Sequence, residues 1–76
     1  MIGMKESTAT KLFVDLSRRE TEVLICISKG MRVSDTARHL GLADSTIASY
    51  IKNLYRKLHI TSRAEAAVEA VRRGLI

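Results

Sequence analysis

The sequence predicts an all-α domain of four short helices, and three observations point there. Proline is absent from the 76 residues, so no helix interior is interrupted by a missing N–H. The aromatic residues are only Phe13, Tyr50 and Tyr55, too few for a small sheet protein, whose strands draw on aromatic and β-branched side chains. Gly30, Gly41 and Gly74 each follow a segment with apolar residues at helical spacing, where a left-handed residue ends a helix without a Cβ penalty. With 46% hydrophobic and 28% charged residues, the chain has the balance of one small globule and not of a disordered tail.

The first helix starts at Ser17, because Ser17 and Glu20 have the S-x-x-E spacing of a reciprocal cap. It runs to about Lys29, with Val23, Leu24 and Ile27 as its inward stripe and Cys26 beside them. The second helix is short, Val33 to Leu40, and Gly41 closes it. The third starts near Asp44, a good N-cap residue. Its apolar residues Ile47, Tyr50, Ile51, Leu54 and Leu58 recur on one side. The fourth repeats the capping logic with Ser62 and Glu65, and carries Arg72 and Arg73 before Gly74. Residues 1–15 are expected to form a flexible leader or cut linker, and residues 16–76 the folded domain.

Size and composition exclude several kinds of function. A chain of 76 residues buries only about 60% of its unfolded surface, which leaves little material for a deep substrate pocket. Serine, histidine and acidic residues occur at no spacing that suggests nucleophile, base and oxyanion site, so an enzyme is not expected. Cys26 has no partner for an internal disulfide, and His39 and His59 lie too far apart for a metal motif. No cofactor is called for. Neither a signal peptide nor an apolar run of membrane-spanning length is present, which leads to the expectation of a soluble, cytoplasmic protein. Thirteen Lys and Arg against eight Asp and Glu give a net charge of +5. That balance suits an acidic partner such as nucleic acid, although many small basic proteins bind none.

The second and third helices are joined only by Gly41, Leu42 and Ala43, the short glycine-containing bend of a helix-turn-helix. Ala37, Gly41 and Ile47 stand where that arrangement needs a small residue for close approach, a glycine for the bend and a β-branched residue for packing back. An αα-hairpin of a structural bundle remains the alternative from these residues alone. On the third helix Ser45, Ser49, Lys52 and Arg56 fall opposite the apolar stripe, with Ala48 and Asn53 beside them. Between Ser45 and Arg63 the charges are Lys52, Arg56, Lys57 and Arg63, with no acid among them. Such a helix can enter a major groove, with small polar residues towards its start and cations further along. A merely solvated basic face is the other reading.

The segments LSRRETEVL at 16–24, the Gly30 turn, TARHLGL at 36–42, TIASYIKNLYRKL at 46–58 and TSRAEAAVEAVRRGLI at 61–76 together resemble the LuxR-type (GerE/NarL-like) helix-turn-helix DNA-binding domain. The likeness runs from Leu16 to Ile76. It implies a four-helix domain of bacterial transcription regulators, either the output domain of a two-component response regulator or a stand-alone regulator. It further implies binding of double-stranded DNA as a homodimer, control of promoters, and RNA polymerase as a further partner. Carried over by position, Ala48, Ser49 and Lys52 are the expected base-reading residues. Ser45, Thr46, Asn53, Arg56 and Lys57 are expected at phosphates, as are Arg32 and Ser34 near the start of the second helix. The sequence departs from the family pattern at several points. TIA at 46–48 stands for the usual TVK, so Ala48 offers only a methyl contact to thymine. Tyr50 replaces a common histidine, residues 32–35 replace the usual SNKE, and Ala43 replaces a customary N-cap serine.

On the fourth helix Ala64, Ala67, Val68, Val71 and Leu75 make one apolar stripe, expected to face the core. Ala66 and Ala70, with Arg73, make a second surface, where the resemblance implies that two copies pair. Small exposed residues on an alanine-rich helix are the simpler explanation. Two other functional classes stay open: a promoter-recognition module like region 4 of a bacterial sigma factor, and a protein-interaction or anti-regulator module that has lost DNA reading.

Overall fold

The computed structural model describes residues 14–76, and residues 1–13 of the expected leader lie outside the described residues. The fold is all-α, with α1 at Arg18–Ser28, α2 at Val33–Leu40, α3 at Asp44–Leu58 and α4 at Arg63–Arg72. The described residues contain no strand.

Local chemistry sets each boundary. Ser17 is extended and its Oγ accepts from the Glu20 N–H at 3.1 Å, while Glu20 Oε1 accepts from the Ser17 N–H at 2.8 Å. This reciprocal cap satisfies two of the amides that a helix start leaves open. Helix α2 ends at Gly41, whose φ of 70° is left-handed, and the Leu42 N–H returns to the Ala37 carbonyl at 2.9 Å. Asp44 is the first helical residue of α3 and not its cap, since the cap position belongs to Ala43, which has no side-chain acceptor. The Asp44 carboxylate still complements the positive end of the helix dipole. Ser62 Oγ accepts from the Glu65 N–H at 3.2 Å, as its spacing predicts. The return contact, however, reaches one residue further: Glu65 Oε1 takes the Thr61 N–H and Thr61 hydroxyl, not the Ser62 N–H.

Helix α1 is the centre of the domain and packs against the other three helices. Its Val23, Leu24 and Ile27 join Ala37, Ile47, Leu54, Leu58, Ile60, Ala66 and Ala70 in one core, with Val14 and Leu16 packed at its edge. Cys26 is buried beside this stripe, and burial pushes its thiol up from the ordinary cysteine range.

The fourth helix faces the opposite way from expectation. Ala66 and Ala70 are 0% exposed, whereas Val68 is 50% and Val71 60% exposed. Ala66 and Ala70 therefore have no surface to offer a second copy. The reason is distance: residues ending at Cβ let α4 lie close enough to α1 for Ser28 Oγ to come within 3.4 Å of the Ala66 carbonyl, a gap that valine would overfill. Of the stripe expected inside, Leu75 packs against the core, while Ala64 is exposed. Arg73 is mostly covered within its own monomer, 3.9 Å from a Glu69 carboxylate that is itself only 2% exposed.

Candidate nucleic-acid interface

The Gly41 bend directs α3 across α2. Ile47, fully buried near the start of α3, packs in the same core as Ala37 of α2, so the first turn of α3 is seated on the preceding helix. Leu54 and Leu58 continue the same stripe inward, and Tyr50, Ile51 and Tyr55 are half-buried at its margins.

What remains of α3 is open. Ser45, Thr46, Ala48, Ser49, Lys52, Asn53 and Arg56 are all exposed. At about 100° per residue, Lys52, Ser45, Arg56 and Ser49 fall within an arc of about 60° on the side away from Leu54, with Ala48 and Asn53 at its edges. The structure thus brings Ser45, Ala48, Ser49, Lys52, Asn53 and Arg56 onto one outer face, while Thr46 and Lys57 lie about 90° or more round from its centre. Among the described residues, neither Lys52 nor Arg56 has an ion-pair partner.

The other two cations of the basic stretch are used inside the domain. Lys57 Nζ donates to Glu20 Oε1 at 2.9 Å and to the Asp15 carbonyl at 3.1 Å. Arg63 Nη1 donates to the carbonyls of Met31 and Ile27, at 2.7 and 3.2 Å. The Ser17 N–H and then the Lys57 ammonium hold the Glu20 carboxyl below the usual glutamate range, against an opposing effect of burial.

Arg32 and Ser34 are exposed at the start of α2. The Arg32 N–H and guanidinium both donate to Asp35 Oδ2, at 3.3 and 3.4 Å, and hold the Asp35 carboxyl below its ordinary value. Arg38 was not singled out in the sequence, yet it projects from the outer face of α2, 3.7 Å from Asp35. Its position four residues after Ser34 was the available signal, since i and i+4 share a helix face. Exposed pairs of this kind are weak, so both guanidinium groups can exchange Asp35 for another anion.

The described residues include no group of three or more His, Cys, Asp or Glu placed to hold a metal ion. No described helix is long and apolar enough to cross a membrane.

A short glycine bend, a seated second helix and an uncovered basic face on it are the parts of a helix-turn-helix, and a family model described as bacterial regulatory proteins, luxR family, matches residues 14–70. The chain belongs to the LuxR family. The helix-turn-helix of LuxR-family regulators binds double-stranded DNA, and this chain is a DNA-binding domain of the transcription-regulator type. It is 35% identical over 63 residues to the response regulator UvrY of Escherichia coli, covering 83% of this chain and 29% of the relative. It is 41% identical over 61 residues to the probable transcriptional regulatory protein NarL of Mycobacterium tuberculosis, covering 80% of this chain and 28% of the relative. Similarity to the transcriptional regulatory protein LnrK of Bacillus subtilis reaches 30% identity over 73 residues, 96% of this chain and 33% of the relative. The chain thus spans about a third or less of the length of these curated relatives.

Proposed function

We propose that residues 16–76 read a specific duplex sequence by laying the outer face of α3 in the major groove, as the output domain of a response regulator or as a stand-alone cytoplasmic regulator. The observation that carries this reading is the arc of α3 that holds Ser45, Ser49, Lys52 and Arg56 free of any acid and uncovered by the rest of the described chain. Ala48 offers its methyl to thymine, Ser49 a hydroxyl to a base edge, and Lys52 an ammonium to guanine O6 and N7. Thr46, Ser45, Asn53 and Arg56 flank these and meet phosphates, with Arg32 and Ser34 of α2 on the adjoining backbone. Recognition is non-catalytic.

Two copies pair through the outward side of α4, where Val68 and Val71 are the large apolar residues left open. A two-fold pair places two reading helices about one DNA turn apart, which calls for a two-fold symmetric site. RNA polymerase is the further partner if the domain activates its promoters. With roughly three to four phosphates neutralised per copy, the dimer has a log–log salt slope of about 5 to 7 in magnitude.

Selection of bound sites from random duplex DNA tests the reading. A two-fold symmetric consensus is the expected result. Binding without sequence preference, or amide resonances of α3 that stay unmoved on adding duplex at low ionic strength, would overturn it.

A further inference from the structure

Among the described residues, Lys57 is the only side chain of α3 with a hydrogen bond or ion pair to another element. Among the described residues, the other side chains that seat α3 on the domain are apolar, namely Ile47, Leu54, Leu58 and their half-buried neighbours. The hydrophobic driving force is non-directional, and close packing of Ile47, Leu54 and Leu58 blocks large displacements of the helix while leaving its last few degrees of roll to be set by directional bonds. A charge-assisted hydrogen bond, by contrast, has a preferred length and direction.

The anchor at the far end is itself fixed. Glu20 Oε1, which takes the Lys57 ammonium at 2.9 Å, also accepts the Ser17 N–H at 2.8 Å and so closes the cap of α1. The Asp15 carbonyl takes a second Lys57 proton at 3.1 Å. The last turn of α3 is thereby referenced to the backbone that leads into α1. A group about 6 Å from the axis of α3 moves by about 1 Å when the helix rolls by 10°, twice the tolerance of a well-placed contact.

We propose that Lys57 is a positioning residue for base reading and not a phosphate contact: its link to Glu20 sets the roll of α3 and so the aim of Ser49 and Lys52. The inference rests on the reading of α3 as the DNA-recognition helix. It departs from the expectation that Lys57 meets a DNA phosphate.

The experiment compares the full chain with Lys57→Met, Glu20→Gln and the double variant on the selected site and on a scrambled duplex. Circular dichroism establishes at each condition that the helices are formed. Each single variant is expected to lower the cognate-to-scrambled affinity ratio by about tenfold, towards the low end of what one good base contact contributes. The salt slope is expected to stay unchanged, and the double variant to be no worse than either single one. Loss of folded population alone does not change that ratio. Glu20→Asp keeps the charge and shortens the arm by one methylene, so it should lower the ratio in the same direction even if the other variants do not fold. An unchanged ratio in these variants overturns the proposal. So does a salt slope that drops by about 2 in the Lys57→Met dimer, the signature of one lost phosphate contact per copy. A wild-type chain without sequence preference removes the DNA reading itself, and this inference with it, before any variant is made.

Discussion

Arg63 and Met31 stand 32 residues apart and meet at 2.7 Å, with the guanidinium donating to the carbonyl. The same Nη1 reaches the Ile27 carbonyl at 3.2 Å, so the first residue of α4 secures the turn that leaves α1. Arg63→Met should cost about 1–2 kcal/mol, because two carbonyls lose a charged donor, while the Ile27 carbonyl keeps the Gly30 N–H at 3.0 Å and the Met31 bond is exposed. The check is a lower urea midpoint with an unchanged m value. On DNA the variant should keep the wild-type salt slope, since this cation is already engaged within the domain.

His59 closes α3 in the left-handed conformation, with φ 55° and ψ 45°. A side chain pays for that geometry and glycine does not. His59→Gly should stabilise the domain by about 0.5–1 kcal/mol, part of the relief being offset by the freer unfolded chain. For a domain of this size that corresponds to roughly 2–8 °C in Tm, readable by thermal circular dichroism.

The Glu20 carboxyl is held below its ordinary range by the Ser17 N–H and by Lys57. A carboxyl lowered in the folded state binds protons more readily when unfolded, so it adds stability above the unfolded value, about 4.3 for glutamate, and loses it as pH falls through the folded value. Urea titrations at stepped pH should show wild type and Glu20→Gln converging as the medium becomes more acidic than about pH 4. Asp35 is shifted in the same direction by Arg32. It is common to both proteins and drops out of the comparison. A gap between the two that stays constant down to pH 2 would contradict this account.

Lys52 is exposed on the outer arc of α3 and has no ion-pair partner among the described residues. Lys52→Ala should weaken binding to the selected site by about 1–3 kcal/mol and relax preference at one base-pair position. Unchanged discrimination between selected and scrambled duplexes would remove Lys52 from the reading set.

Val68 and Val71 project from α4 into solvent. Val68→Glu should leave the fold intact, since no core contact is lost, while placing like charges opposite each other across a two-fold axis. Binding to a full site should then fall to the level of a single half-site, as measured by gel shift against site concentration. Ala66→Glu, the corresponding change on the covered side, should instead unfold the domain.

Helix placement was largely legible in the residues because its determinants are local. The Ser17–Glu20 cap and the Gly41 bend each act within a few positions. The misplacement of Asp44 by one residue follows from Ala43, which caps through backbone conformation alone and leaves no side-chain mark. The faces of α4 were not legible. Hydrophobicity ranks valine inside and alanine outside, but the separation of α1 and α4 admits only Ala66 and Ala70. The fates of Lys57 and Arg63 were hidden for another reason. Their partners lie 32 to 42 residues away, and a run of cations looks the same in sequence whether its charges face solvent or carbonyl oxygens.

The thin alanine contact between α1 and α4 also bears on operator architecture. Ala66 and Ala70 end at Cβ and have no rotamer to change to absorb a misfit, so the outward side of α4 and the outer face of α3 are expected to keep a fixed separation, like the arms of a locked caliper. One extra base pair between half-sites turns the second by about 34° around the duplex axis. On the proposed pairing through α4, two copies should reject such a site even though each proposed base contact is still on offer.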